Sequence, residues 1–233
     1  MTVEQILEHA IQATPMVCDD EGNGCGFVVD RRGVVVTARH GVKRRRKVSV
    51  HFRGHEPVEG KVVLSHLSLD YAFVLVPPCE VSFRLNENLL PRVGMKVFAI
   101  GAPDGLPGSV TQGIVSATDR VEGDVHYIQT DADATFGYSG GPLINEKGFV
   151  VGMNVWGRGE TRCANFALPV TYLTAPLWQL QAMLGDLDRY LYCVECGKAN
   201  DDDSLLKTAT WICCGRCGAK LQTNDGEEER ESE

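Results

Sequence analysis

The sequence lacks any apolar run of about 18 residues, the length that a membrane-spanning helix needs, so we expect no membrane partner. Residues 1–16 carry acidic side chains early and no long apolar core, so we expect no secretory signal. An excess of basic residues is also absent, because 23 Lys and Arg stand against 31 Asp and Glu, and the formal net charge is −8. Nucleic acid therefore has only weak support as a partner. We expect a cytoplasmic protein.

Hydrophobic residues make up 43% of the chain and charged residues 23%, which is typical of a globular protein and excludes wholesale disorder. Glycine is abundant, at 25 of 233 residues, and indicates many turns between short strands. Negative charge is concentrated at residues 225–233, which hold six acids and one arginine. We expect residues 223–233 to form a disordered acidic tail.

Ten short β-type runs lie between residues 26 and 170, separated by turn sequences and with no helical pattern between them. These runs are 26–29, 33–37, 48–52, 62–64, 72–76, 96–100, 113–117, 125–129, 150–155 and 165–170. The pattern predicts an all-β barrel or sandwich rather than alternating strands and helices. Apolar residues at helical spacing predict helices at 4–13 and 171–192.

Three fragments supply a serine, a histidine and an aspartate. His40 ends TARH after one apolar strand, Asp70 lies in SLDYA before another, and Ser139 lies in GYSGGPL. A serine hydroxyl is a weak nucleophile that needs an imidazole to take its proton, and a carboxylate can hold that imidazole in one tautomer. The glycines permit a tight turn that aims the amides of Gly137 and Ser139 at one point, as an oxyanion hole requires. The pattern predicts catalytic roles for His40, Asp70 and Ser139.

These fragments resemble the HtrA-type (DegP-like) serine proteases of the chymotrypsin fold. The similarity runs in register from about residue 24 to residue 170, and its stretches are CGFVVDRRGVVVTARHGV, LDYAFVLV, VGMKVFAIGAPDGL, VTQGIVSATDR, QTDADATFGYSGGPLIN and GFVVGMN. The resemblance implies a chymotrypsin-like double β-barrel with the site in the cleft, followed by a closing helix. The expected domains are an N-terminal helix or extension (1–20), a trypsin-like serine protease domain (21–189), a zinc ribbon (190–222) and the acidic tail (223–233).

Two residues depart from the family pattern beside the catalytic positions. Arg39 and Tyr138 stand where the family commonly has smaller or amide residues. We therefore expect the loop 134–138 to have its own resting conformation, and its ordering on partner binding is one hypothesis for activation.

The resemblance also suggests a substrate pocket. Asp133 lies six residues before Ser139, at the position where a carboxylate selects Arg or Lys in trypsin-like enzymes. Val155, Trp156 and Gly157 resemble the pocket wall that pairs with the substrate backbone. These residues suggest cleavage after a basic residue; the alternative is that Asp133 points away or caps the loop.

Nine cysteines, an odd number without a signal sequence, argue against a disulfide framework. Cys193 and Cys196 form one CxxC pair, and Cys214 and Cys217 form a second after 17 residues. This spacing predicts a structural zinc site with four thiolate ligands and no open position for water. Cys213 is an alternative to Cys214, and a redox function is an alternative to zinc. The ribbon could dock a protein partner or a substrate, or simply cap the chain.

Five consecutive basic residues, 43–47, follow the His40 segment. Their simplest interpretation is a solvated loop; a patch for an acidic substrate, a nucleic acid or the acidic tail is the functional alternative.

The sequence predicts an intracellular serine endopeptidase acting on protein or peptide substrates. Two alternatives are a catalytically silent binding scaffold and an esterase that uses the same three residues.

Overall fold

The computed structural model describes residues 1–18, 23–134, 136–157, 164–208 and 210–223. Two closed antiparallel barrels make up most of this described part. The first barrel contains β1 (Met16–Cys18), β2 (Asn23–Asp30), β3 (Val34–Ala38), β4 (Lys47–His51), β5 (Val58–His66) and β6 (Tyr71–Leu75). The second contains β7 (Lys96–Gly101), β8 (Ser109–Glu122), β9 (Val125–Thr130), β10 (Pro142–Asn145), β11 (Val150–Gly157) and β12 (Asn165–Pro169).

Two helices and a small strand-rich segment complete the described ranges. Helix α1 (Val3–Gln12) precedes the first barrel, and helix α2 (Thr171–Met183) follows the second. The segment 191–223, here called the cysteine module, contains β13 (Leu191–Tyr192), β14 (Ala199–Asn200), β15 (Leu205–Lys207), β16 (Trp211–Cys214) and β17 (Lys220–Thr223). None of the helices in the described ranges has the length and apolar character to cross a membrane.

The expected all-β double barrel with a C-terminal helix is confirmed. The strand orders are β1-β2-β3-β6-β5-β4 and β10-β11-β12-β9-β8-β7. Each of the ten predicted runs overlaps one barrel strand. The sequence pattern does not predict β1 and β10, which are only three and four residues long.

The apolar core of the two barrels forms three layers, and β3 contributes to two of them. Val35 packs inside the first barrel, whereas its neighbours Val34 and Val36 pack in the layer between the two barrels. This middle layer also receives Ala10 from α1 and Leu173 from α2. All five residues of β3 are buried, which explains its continuous apolar sequence.

Helix α2 is shorter than the predicted helix 171–192. A 3₁₀ segment covers Leu184–Arg189, and the backbone leaves helical geometry at Asp186. Leu184 and Leu187 still pack against the middle layer, so the leucine spacing persists after the α-helix has ended. The predicted helix is therefore wrong beyond Met183, and Leu191 lies in a strand. The acidic tail is predicted at 223–233, but Thr223 is the last residue of a strand, and residues 224–233 lie outside the described residues.

Candidate active site

Strand pairing brings His40 and Asp70 together. Ala38 at the end of β3 pairs with Tyr71 at the start of β6. Arg39, which follows Ala38, therefore lies beside Asp70, which precedes Tyr71. The amide of Arg39 donates to the Asp70 carbonyl at 3.0 Å, and a 3₁₀ turn at Arg39–Gly41 then presents His40. Asp70 has φ +52°, a left-handed conformation that aspartate tolerates better than most residues.

The Asp70 carboxylate binds both the backbone and the ring of His40. Its Oδ1 accepts from the His40 amide at 2.9 Å, and its Oδ2 lies 2.6 Å from His40 Nδ1. This hydrogen bond raises the pKa of His40, while partial burial of the ring opposes the shift. A proton held on Nδ1 leaves Nε2 as the ring's acceptor, which is the arrangement that a general base needs.

The Ser139 turn of the second barrel is held by the first barrel. The Cys25 amide on β2 donates to the Ser139 carbonyl at 2.8 Å, and Thr37 on β3 donates to the Cys25 carbonyl at 2.6 Å. Gly140 has φ +83°, and a Cβ there would overlap the Cys25 carbonyl oxygen. The position after the serine in GYSGGP therefore needs glycine for two reasons. The backbone turns there with a positive φ, and it lies too close to the Cys25 carbonyl to leave room for a side chain.

The Ser139 hydroxyl donates to the Val155 carbonyl at 2.9 Å. Within the described residues, it makes no hydrogen bond to His40. Val155 is the extra residue of a β-bulge, because Asn154 pairs with Ala167 and Trp156 with Phe166. The bulge removes the Val155 carbonyl from the ladder and makes it available to the serine. Catalytic hydrogen bonds of this kind are often incomplete before substrate binds.

The loop before Ser139 leaves amide donors available. Gly137 has φ +91°, and a Cβ there would overlap the Ala102 carbonyl. The Gly137 carbonyl accepts from the Ala102 amide at 2.9 Å. In the described part of the chain, the amides of Gly137 and Ser139 donate to no protein group, so both can serve an oxyanion. Thr135 in this loop lies outside the described residues.

Asp133 lies beside Tyr138 behind this loop. Its Oδ1 is buried and has no partner within the described residues, while its carbonyl accepts from the Thr111 hydroxyl at 2.5 Å. Burial, together with the charge of Asp133, raises the pKa of Tyr138. Trp156 and Gly157 lie at the end of β11, where they pair with β12.

The four cysteines of the two CxxC pairs form one cluster. The sulfur atoms of Cys193, Cys196, Cys214 and Cys217 all lie within 4.8 Å of one another. The closest pairs, Cys193–Cys217 and Cys196–Cys214, are 3.6 Å apart. Zn–S bonds of about 2.3 Å in a tetrahedron place sulfurs roughly 3.8 Å apart, so the four thiols fit zinc. Cys213 lies outside this cluster.

Both pairs use the same backbone turn, which supports a metal knuckle at each. Gly197 donates to the Cys193 carbonyl at 2.8 Å, and Gly218 donates to the Cys214 carbonyl at 2.8 Å. These glycines have φ +75° and +76°. We call residues 193–197 the first knuckle and residues 214–218 the second knuckle.

Sequence reasoning missed how the cysteine module meets the first barrel. Arg46 of the basic run donates to the carbonyls of Tyr192 at 3.0 Å and Leu221 at 3.2 Å, and Arg44 forms an ion pair with Glu195. Two further contacts come from β5: the Ser65 amide donates to the Gly197 carbonyl at 3.0 Å, and the Ser65 hydroxyl bonds the Tyr192 hydroxyl at 3.0 Å. The basic run therefore holds the cysteine module, which weakens its interpretation as a nucleic-acid patch.

The known proteins that this chain resembles are trypsin-like peptidases and serine proteases. A family model described as "Trypsin-like peptidase domain" matches residues 24–153. The mitochondrial serine protease HTRA2 of Bos taurus is 37% identical over 156 residues, which are 63% of this chain and 34% of that protein. HhoB of Synechocystis sp. is 36% identical over 163 residues, which are 65% of this chain and 38% of that protein. This chain thus spans less than two fifths of the length of these relatives.

A solved structure supports the same comparison. The serine endoprotease from Yersinia pestis superposes with a TM-score of 0.69 at 27% identity, covering 82% of this chain and 70% of that one. The expected resemblance to HtrA-type serine proteases is thereby confirmed.

The raised pKa of His40 predicts a pH dependence. A protonated His40 cannot accept the Ser139 proton, so the rate of labelling by a fluorophosphonate should fall as the pH drops through that raised pKa, above the ordinary value of 6.5. Asp70→Asn removes the carboxylate whose hydrogen bond and charge raise the pKa of His40, and asparagine also tolerates positive φ. We expect this variant to move the midpoint to lower pH and to slow labelling by roughly 10⁴-fold. An unchanged midpoint would contradict the assignment of Asp70 as the partner of His40.

Proposed function

Because the chain belongs to the family of trypsin-like peptidase domains, we propose that it is a serine endopeptidase that hydrolyses peptide bonds in proteins or peptides through His40, Asp70 and Ser139. The observation that carries this proposal is the double hydrogen bond between His40 and the Asp70 carboxylate, at 2.9 and 2.6 Å. A carboxylate that fixes both the backbone and the ring of one histidine orients Nε2 for proton transfer.

The reaction follows from these contacts. Ser139 attacks the scissile carbonyl carbon while His40 Nε2 takes the hydroxyl proton, and the carbonyl oxygen becomes an oxyanion that the Gly137 and Ser139 amides stabilise. His40 then gives its proton to the leaving amine, and an acyl-enzyme remains. A water molecule, deprotonated by His40, attacks the acyl carbon and releases the acid and Ser139.

Substrate binding would release the serine from its resting partner. The Val155 carbonyl, which accepts from Ser139, belongs to the predicted backbone-pairing wall of the pocket. A substrate amide that donates to this carbonyl competes with the Ser139 hydroxyl for it. The freed hydroxyl can then turn to His40 Nε2.

The thiol chemistry supports a reducing compartment such as the cytoplasm. The thiols of Cys193, Cys196, Cys214 and Cys217 are free of disulfide bonds. These four must stay reduced in order to bind a metal.

A triad test separates the proposal from its two alternatives. Wild-type protein should gain one fluorophosphonate adduct by intact mass, and Ser139→Ala should gain none. Peptide hydrolysis should fall by roughly 10⁶-fold in Ser139→Ala. Wild-type protein without an adduct would favour the silent scaffold, and an adduct with ester but no peptide turnover would favour the esterase.

A basic preference at the scissile bond is supported by Asp133. Its buried Oδ1 lacks a partner within the described residues, and a substrate cation would supply one. We expect a positional-scanning peptide library to show cleavage after Arg or Lys, and Asp133→Asn to lower that preference at least tenfold without preventing labelling of Ser139. Apolar preference in both proteins would remove this role.

The cysteine module is proposed to be a zinc ribbon. Cys193, Cys196, Cys214 and Cys217 would bind the ion as thiolates in a closed tetrahedral site, so zinc would stabilise the module rather than activate water. Contacts of the first knuckle with the barrel favour a cap over a docking site for a further protein partner, because that knuckle is already in use.

The neighbouring cysteines 213 and 214 provide a matched test of the metal site. We expect elemental analysis to find about one zinc per chain in the wild type and in Cys213→Ser, because Cys213 lies outside the sulfur cluster. Cys214→Ser should lose most of the metal and unfold at a lower temperature. Equal metal content in the two variants would contradict this ligand set.

A further inference from the structure

Arg39 is the first residue of the turn that presents His40. Its amide donates to the Asp70 carbonyl at 3.0 Å, and its carbonyl accepts from the amides of Val42 at 3.0 Å and Lys43 at 2.7 Å. Any movement of the Arg39 backbone therefore changes both the turn and its link to Asp70.

The side chain of Arg39 contacts the first knuckle. Its Nη2 lies 3.5 Å from the Val194 carbonyl and 3.4 Å from the Glu195 carbonyl. These two residues separate Cys193 from Cys196. The same side chain thus joins the residue before His40 to the two peptide groups between two proposed metal ligands.

The metal would fix the carbonyls that Arg39 uses. When Cys193 and Cys196 bind one ion, the two residues between them have little freedom, and their carbonyls keep one direction. Zinc with four thiolates also has a net negative charge, which attracts a guanidinium. Metal loading therefore favours the position of Arg39 that the structure has.

Loss of the knuckle geometry would be costly for Arg39. Its Nε is buried and has no partner within the described residues, so the two carbonyl contacts hold the charged end of the side chain. A partly buried guanidinium that loses its acceptors is destabilised and moves towards water. Such a movement would pull on the residue that precedes His40.

We propose that Arg39 is a positioning residue, through which the metal-loaded first knuckle holds His40 in register with Asp70. This proposal rests on the proposed triad and zinc site. It gives the cysteine module a function in the reactivity of Ser139, beyond capping the barrel.

The chain offers a matched control in Arg44. Arg39 and Arg44 both contact Glu195, but Arg39 binds its backbone and adjoins His40, whereas Arg44 binds only its carboxylate. A general loosening of the cysteine module would affect both Arg39→Ala and Arg44→Ala. A specific effect on His40 would appear only in Arg39→Ala.

The experiment uses the zinc-loaded full chain and the variants Arg39→Ala, Arg39→Lys and Arg44→Ala. We would measure zinc content, unfolding temperature, the labelling rate of Ser139 by a fluorophosphonate, and the Nδ1 proton resonance of ¹⁵N-labelled His40 by NMR.

We expect Arg39→Ala to keep its zinc, to label roughly tenfold more slowly and to show a shifted or broadened His40 resonance. Arg39→Lys should recover only part of the rate, since the lysine side chain is shorter and lacks the rigid planar group that places one nitrogen, Nη2, near both carbonyls. Arg44→Ala should match the wild type.

Metal removal provides the coupling test. Chelation of zinc from the wild type should reproduce the change in the His40 resonance seen in Arg39→Ala, and chelation from Arg39→Ala should add little to it, because both act through one contact. A wild-type labelling rate and resonance in zinc-loaded Arg39→Ala would overturn the proposal, as would equal losses in Arg39→Ala and Arg44→Ala. If the wild type does not label at all, the proposed function fails, and the resonance of His40 still decides the role of Arg39.

Discussion

The backbone contact between Cys25 and Ser139 joins the two barrels directly at the site. The Cys25 amide of the first barrel donates to the Ser139 carbonyl of the second, and Gly140 fits directly against the Cys25 carbonyl. His40 and Asp70 belong to the first barrel and Ser139 to the second, so no one barrel contains the site. The distance between Ser139 and the pair His40–Asp70 therefore depends on how the two barrels pack against each other. Close packing at that interface resists displacement of one barrel relative to the other.

Much of the fold could be predicted because its signals are local. The apolar run of β3, the glycines around Ser139 and the short strands between turns are each visible within a few residues. His40 and Asp70 could be paired because each adjoins an apolar strand. Features that depend on partners were not visible: the shortest strands, the end of α2, and the resting bond of Ser139, which follows from a bulge at Val155.

The contacts of the basic run illustrate the limit of local patterns. Five consecutive cations are normally a solvated surface, and nothing within residues 43–47 indicates otherwise. Two of the five have partners far away in the sequence: Arg44 pairs with Glu195, and Arg46 reaches Tyr192 and Leu221, 146 and 175 residues along the chain. Tyr192 also packs into the core of the first barrel. The CxxC spacing predicted the cysteine cluster but could not predict the surface against which that cluster packs.

The separation between Arg39 and the first knuckle has a consequence for the order of assembly. Their contact joins residues 155 positions apart, and contacts of such length form late because loop closure has to precede them. During synthesis, His40 leaves the ribosome long before Ser139 or the four clustered cysteines of the cysteine module. A nascent chain therefore carries an unfinished cleft, and the turn beside His40 gains its last contact only once nearly all of the described chain has been made.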